Sequence, residues 1–565
     1  MSAAARILAR GPLVARLGAL MRAEGPTVLA AALSAGWLLT ELRTPDLAAQ
    51  VYRATLFNRD GLSLWDNNWY GGHHVPGYSL LFPQLGALLG LRVLGAFSAI
   101  ASTWLFSRLA LAHFGPRARL GTWCFALTTL TDLLIGRLTF ALGVTLGLAA
   151  LLAYQRGRLA AAALGSFLCA AASPVAGLFL ALAGAAHLIT RVLGLREEVV
   201  EATPEAQTLP GGRWPALALM VPALALTGAL SVAFPEGGRQ PFGNDAFVGA
   251  VLLTLAAATL LPREEWTLRV GAGLYVVAVF ASFEMRTPMG GNISRLSAMF
   301  SWPVLVCAVA GRPPMPMWVG RHASRIGLAG MAVGLGALFA YQWNSPVREV
   351  VKTLGEASVN APYYQPVIDY LNHHQQPLGR LEVPFTKTHW DATFLGNRFM
   401  LARGWERQLD TRYNQLFYNR KLTPDAYRTW LEQVGVRYVA LPDAAPDTSS
   451  EQEVALVRSG LPYLVPVFSS PHWIVFSFTH PQALTDGPGR LLALHNQSFE
   501  VALDRPGLVR VRVHFTPYWE VVGGRGCVSQ GSEGWTQVRA SRPGTIRVVA
   551  RFDLGRVLDH GPRCR

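Results

Sequence analysis

A chain of 565 residues that is 51% hydrophobic and only 15% charged, with a mean hydropathy of +0.27, falls well below the soluble average of about 25% charged residues. That composition excludes a disordered chain, a collagen-like one and a small disulfide scaffold. The net charge of +15 raises nucleic acid as a partner, but in a polytopic chain basic residues must first be tested against loop placement.

Length alone suggests roughly three or four domains, yet the long apolar runs lie in the first 342 residues. One membrane domain, 1–342, followed by an extracytoplasmic part, 343–565, fits better. Lysine occurs only at Lys352, Lys387 and Lys421, so the basic residues are nearly all Arg, as expected of a GC-rich bacterium. The first 25 residues carry Arg6, Arg10, Arg16 and Arg22 beside the stripe Leu13, Val14, Leu17, Leu20, Met21. This pattern predicts an interfacial helix, with a cleaved signal peptide as the alternative.

Apolar segments near 26–41, 93–113, 120–136, 138–154, 159–173, 175–192, 214–233, 246–262, 270–284, 295–311 and 326–342 predict eleven crossings. Several are shorter than the roughly 20 residues of a straight span. Alternate loops are basic: Arg117 and Arg119, Arg156 and Arg158, Arg196 and Arg213, Arg263 and Arg269, then Arg312, Arg321 and Arg325. By the positive-inside rule these loops and the N-terminus are cytoplasmic, and an odd number of crossings puts 343–565 outside. The location expected is a bacterial plasma membrane. With the arginines assigned to inside loops, nucleic acid loses its support as a partner.

Cys124, Cys169 and Cys307 fall in apolar segments and are expected to act as small apolar residues. Cys527 and Cys564 fall in the outer part, where disulfides persist, and are expected to pair. Residues 343–485 alternate helical stretches (Tyr364 to Asn372, Pro424 to Val434, Glu451 to Ser459) with strand-like runs (Val436 to Leu441, Trp473 to Phe478), an α/β region. Residues 486–565 give short alternating runs (Phe499 to Leu503, Val509 to Phe515, Gln537 to Ala540, Thr545 to Phe552), the pattern of a small β-sandwich.

The first outer loop, 41–92, is long enough to have a function of its own. It holds Asp46, Asp60, Asp66, Asn67, Asn68, His73 and His74 among Trp65, Trp69, Tyr70 and Tyr78. Asp46 after the first span, then Leu64-Trp-Asp-Asn-Asn-Trp-Tyr-Gly-Gly72, then Gly77-Tyr-Ser-Leu-Leu-Phe-Pro83, resembles the opening of membrane glycosyltransferases of the GT-C superfamily. The Gly-Tyr-x-x-x-Phe-Pro element is similar to one in mycobacterial arabinofuranosyltransferases. The resemblance implies transfer of a sugar from a polyprenyl-phosphate donor to a glycan or lipid acceptor outside the membrane. It also implies a first-loop carboxylate as general base, the place of Asp46, which would take the proton of the attacking hydroxyl. The alternative for Asp46 is an N-cap of the helix Leu47 to Leu56.

Asp60 and Asp66 are further catalytic candidates, because the superfamily often uses a second acidic residue, sometimes with a divalent metal. No two acids here are adjacent or spaced by one, so metal dependence stays open, with Asp66, His73 and His74 as a grouping that lacks ligand spacing. Trp69, Tyr70, His73, His74 and Tyr78 are candidate substrate contacts. Arg286 and Arg295, flanking the loop before the tenth segment, suit the donor's phosphate, or else contact lipid headgroups. Trp405, within the run Arg403 to Asn414, lines either an acceptor cleft or a salt-bridged seam between the domains. There is no Walker loop, G-x-S-x-G elbow, CxxC pair or H-E-x-x-H. The competing function is a transporter or flippase of lipid-linked glycans with an outer binding domain, although no internal repeat is visible.

Overall fold

The computed structural model describes residues 12–195, 212–310, 321–374, 376–419 and 421–564. It divides into two compact units. The helical unit comprises Met1–Leu42, Leu88–Thr227 and Phe242–Val350; the mixed unit comprises Arg43–Ala87, Gly228–Pro241 and Val351–Arg565.

In the helical unit a helix lies within each of the eleven apolar segments. Six are long and apolar enough to cross a membrane: Leu91–Phe114, Leu138–Gln155, Pro174–Val192, Trp214–Ala233, Trp266–Glu284 and Gly290–Ala310. Leu159–Ala172 and Asn244–Leu260 are apolar but shorter. At the N-terminus, Arg6 and Arg10 lie outside the described residues. From Pro12 one unbroken helix runs to Leu39, so no separate interfacial helix stands between Pro12 and the first apolar segment. The loop arginines Arg196 and Arg312 also lie outside the described residues.

Small residues let these helices approach closely, the packing mode that membranes favour because hydrophobic burial drives little there. A side chain on Gly121 would collide with Cys307, and one on Gly177 with Ala170. Stacked Phe106 and Phe125 (4.1 Å) lie in the core. Ser102 and Thr145 (2.8 Å) hydrogen-bond between helices, as do Gln342 and Thr128 (2.7 Å). Cys124, Cys169 and Cys307 are buried and free, as expected of small apolar residues.

The mixed unit begins with the helix Pro45–Asp60 and a hairpin of β1 (Trp65–Asp66) and β2 (His73–His74). A mixed sheet follows from β3 (Arg380–Glu382), β4 (Val436–Pro442), β5 (Leu464–Ser469) and β6 (Trp473–Phe478), ordered β3-β4-β6-β5. Only β3 and β4 run parallel. The helix Pro424–Val434 is bounded by Thr423, whose hydroxyl accepts from Ala426 N, and by left-handed Gly435, the stop and start signals its sequence advertises.

The remaining strands are β7 (Thr485–Asp486), β8 (Gly489–His495), β9 (Ser498–Leu503), β10 (Gly507–His514), β11 (Trp519–Gly523), β12 (Gly526–Gln530), β13 (Trp535–Ala540), β14 (Gly544–Ala550) and β15 (Arg563–Cys564). They form two sheets, β15-β12-β13-β10-β7 and β11-β14-β9-β8. Alternate residues of both face one core, including Val501, Val511, Val538 and Val548, as period-2 patterning requires. Cys527 on β12 is bonded to Cys564 on β15, across a directly paired register position.

The first loop was expected as an appendage of the membrane domain. Instead, residues 43–87 fold into the mixed unit together with 228–241. Trp65 is 2% exposed and belongs to the sandwich core.

Candidate functional site

The loop's geometry follows from a turn that its glycines permit. Tyr70, Gly71 and Gly72 all have positive φ (60°, 76° and 118°), and a Cβ on Gly72 would stand 2.5 Å from the Trp65 ring, so only glycine fits there. Tyr70 takes this conformation at a cost of about 1 kcal/mol. It is held by its hydroxyl, which donates to Gly404 O and accepts from Glu406 N at 2.9 Å.

This turn folds most of the expected site residues inward. Asp66 is fully buried; one carboxylate oxygen accepts from Tyr52 Oη at 2.6 Å and the other from Asn68 N at 3.0 Å. Burial first, and then the charge of Asp66, push the Tyr52 phenol far above its ordinary pKa, so Tyr52 remains the donor. Trp69, also fully buried, stacks on Tyr52 at 4.0 Å and donates through Nε1 to Ala392 O at 3.2 Å. His73 stacks on Trp69 at 5.8 Å.

His74 Nδ1 lies 2.6 Å from Glu236, and its Nε2 lies 2.9 Å from Thr516 Oγ1. Burial opposes ionisation of Glu236, but the hydrogen bond and charge of His74 hold its carboxyl below the usual range. Asp66, Trp69, Tyr70, His73 and His74 thus hold the fold and present no face to a substrate. The Asp66, His73, His74 grouping does not fit a metal either, since Asp66 and His74 are engaged elsewhere. Among the described residues no three His, Cys, Asp or Glu side chains gather to hold one. Asp60, the last residue of its helix, is exposed and bonded to Arg59 at 3.1 Å and to Asn496 at 2.6 Å.

Asp46 remains. The N-cap position of its helix is held not by Asp46 but by Thr44, which makes no side-chain capping bond, with Pro45 at the first helical position and Asp46 half-buried in the first turn. Proline at N1 sets that register. The helix start is braced by two indoles: Trp405 Nε1 donates to Pro45 O at 2.9 Å, and Trp390 Nε1 to Arg43 O at 2.9 Å. One turn on, Thr393 donates to Ala48 O at 2.8 Å. Two turns on, buried Arg53 pairs with Glu406 and lies 3.9 Å from the centre of the half-buried Tyr78 ring.

Trp405 is fixed from its other side, stacked on His389 at 3.4 Å. His389 Nε2 lies 3.3 Å from Asp447, which Arg407 grips with two bonds of 2.8 Å. Burial opposes it, but His389 and then Arg407 hold the Asp447 carboxyl well below the carboxylate range. Arg53, Glu406 and Tyr78 thus gather at the middle of this helix, and Trp405 braces its start beside Asp46. Sequence reasoning missed His389, and it missed the pairings of Trp390 with Arg43, Glu406 with Arg53 and Glu236 with His74, each spanning more than 150 residues that no local period records.

The run Arg403 to Asn414 begins with a buried ion network. Arg403 is buried inside the mixed unit, sandwiched between Phe385 and Phe417 at 4.0 Å each. It donates to both oxygens of Asp410 (3.1 and 2.7 Å) and to Glu453 (3.1 Å). Burial, then the charge of Glu453, push the neighbouring Glu382 well above its usual pKa, which keeps a proton in the cluster.

In the helical unit Arg286 is exposed, while Arg295 is half-buried. Arg295 donates to Asn292 at 2.7 Å and lies 5.6 Å from the centre of the Phe140 ring. The adjacent Leu296 and Ser297 line a cavity of about 330 Å3 whose walls include Leu148, Phe179, Leu180 and Tyr275. Comparison with known proteins finds no matching family model and no matching curated protein.

Proposed function

We propose that the protein is a multipass glycosyltransferase resembling the GT-C superfamily. In this reading it moves a sugar from a polyprenyl-phosphate donor to a cell-envelope acceptor, and Asp46 is the general base. The observation that carries the reading is the placement of Asp46. Asp46 sits half-buried in the first turn of a helix whose start is braced by Trp405 and Trp390. A positioned carboxylate is what deprotonation of an attacking hydroxyl requires.

The apolar cavity lined by Leu296 and Ser297, the residues that follow Arg295, supports the donor assignment, since an isoprenoid tail suits its lining. Eleven crossings with the N-terminus in the cytoplasm of a bacterium would place the mixed unit outside the plasma membrane. Its disulfide agrees with an oxidising compartment.

The test is native mass spectrometry of the detergent-purified protein and its Asp46→Asn variant. Polyprenyl-phosphate sugar that accumulates uncleaved in the variant supports transfer. Lipid-linked oligosaccharide retained equally by both forms favours transport instead, and absence of any isoprenoid counts against both.

A further inference from the structure

The helix Trp214–Ala233, one of the six long and apolar enough to cross a membrane, ends inside the mixed unit, which takes in the chain from Gly228 to Pro241. Its end is fastened there by aromatic residues. Tyr518 Oη donates to Ala233 O at 2.7 Å, one of the last carbonyls that a helix leaves unpaired. Phe234, the next residue, has its ring 5.7 Å from that of Tyr518 and 6.0 Å from that of Phe552, and Phe552 in turn lies 5.4 Å from Tyr518. A tyrosine at this position suits the boundary between membrane and water.

From Phe552 the chain makes a short turn, Leu554–Arg556, on its way to β15. The turn points its polar residue inward and its apolar residues outward. Arg556 is 8% exposed and donates to Pro517 O at 3.1 Å and to Asp559 at 2.6 Å. Two residues to either side of it, Leu554 and Leu558 are 78% and 86% exposed, the most exposed large apolar side chains among the described residues of the mixed unit, and Phe552 is 49% exposed. Both ends of the loop are held: Arg551 N donates to Tyr518 O at 2.9 Å, and Cys564 is bonded to Cys527. Its two acids are engaged within it, Asp553 accepting from Gly555 N at 2.9 Å and Asp559 from Gly561 N at 2.9 Å as well as from Arg556.

A fastened turn that holds leucines out in water forgoes the burial that orders other loops, and exposed apolar groups of this kind mark contact surfaces. The depth of the turn says which surface. Phe552 packs at the end of a helix able to span a membrane, and Leu554 follows it by two residues, no more than about 7 Å of backbone. That lies within the roughly 5–10 Å to which apolar faces sink at the boundary of headgroups and acyl chains. We propose that residues 552–558 are an interfacial anchor whose partner is the lipid bilayer, with Leu554 and Leu558 inserted into the leaflet at which Trp214–Ala233 ends. The anchor requires that this helix cross the membrane, and it does not depend on the transferase reading.

The test attaches an environment-sensitive fluorophore to Leu554→Cys and, separately, to Leu558→Cys in the full chain, reconstituted one copy per lipid nanodisc, with nitroxides carried on the lipid headgroups or along the acyl chains as quenchers. Both positions are exposed, so labelling leaves the core intact, and the free cysteines Cys124, Cys169 and Cys307 are buried. Val221→Cys, at an exposed position within Trp214–Ala233, and Leu492→Cys, on the edge strand β8, are the references. Labels at positions 554 and 558 should emit to the blue of the label at 492 and lose several-fold more fluorescence to the nitroxide lipids. Emission and quenching equal to those at 492, with the label at 221 quenched, overturn the anchor and leave the span standing. A label at 221 that no lipid nitroxide quenches overturns both. A blue shift at 554 that appears only when two copies share a disc, without lipid quenching, assigns the leucines to a contact between copies and likewise overturns the anchor.

Discussion

His514, at the end of β10, makes the mixed unit sensitive to mild acid. Its ring is stacked between Tyr413 and Trp535, 4.4 Å from each. Burial, then the charge of Arg380, lower its pKa to about 4, against about 6.5 for an unstrained histidine. The folded state therefore keeps the imidazole neutral while the unfolded chain takes up a proton. Stability from this group is intact above about pH 6.5, falls as pH drops, and stops falling below about pH 4. The full difference is roughly 3 kcal/mol, of which about 2.5 kcal/mol is lost between pH 7.5 and 4.5.

For a unit of this size that corresponds to about 5–10 °C in Tm. The comparator is His514→Phe, which keeps the aromatic stack but cannot be protonated. Thermal melts of both full-length proteins in detergent, followed by tryptophan fluorescence from pH 7.5 to 4.5, isolate the histidine term, because acid titration of the carboxylates is common to both. The variant loses the ring's hydrogen bond to the Gly534 backbone, so it should start about 1 kcal/mol lower and decline less steeply. Parallel declines would refute the assignment of acid sensitivity to His514.

Three other outcomes are expected. Reducing the Cys527–Cys564 bond, which closes a separation of 37 residues, should cost about 4 kcal/mol on the chain-entropy account; an unchanged Tm after dithiothreitol, with both thiols alkylated, contradicts it. Asp66→Asn should lower the urea midpoint of the mixed unit by removing a charge-assisted bond from Tyr52, worth about 1.5–3 kcal/mol, whereas Asp46→Asn should keep the midpoint and stop donor turnover. The reverse pattern exchanges their roles. Arg403→Met leaves Asp410 and Glu453 buried without their cation, at a cost of about 3–5 kcal/mol, so its yield of folded protein by size-exclusion chromatography should collapse; a wild-type profile rejects the network as a stabilising element.

What the sequence disclosed was what neighbours in the chain decide. Pro424 to Val434 was legible because Thr423 and Gly435 mark its ends, the sandwich strands because alternate residues are apolar, and the disulfide because two cysteines shared one segment. Among the described residues six helices meet the length and hydropathy of a span, while Leu159–Ala172 and Asn244–Leu260 are apolar but shorter. The fate of the first loop was not legible. Asn67 donates to the carbonyl of His495 and its own N–H to that of Asn496, and His74 meets Glu236, pairings without local periodicity. Of the aromatic candidates, Trp69 and Tyr70 are buried, while Tyr78 and Trp405 are half-buried. The alternative reading of Asp46 as an N-cap falls two residues late, because with Pro45 as the first helical residue that position belongs to Thr44.

The mixed unit is built from three separated stretches of chain, and this orders events during biosynthesis. Residues 43–87 leave the ribosome early, carrying Trp65, Trp69 and Tyr70, yet the strands and loops that bury them come last. Until the final strands emerge, the hairpin has no interior to enter, so a nascent chain halted after residue 351 displays indole rings that quality-control proteases and holding chaperones recognise. The unit is not a cassette that can be excised or exchanged at residue 343.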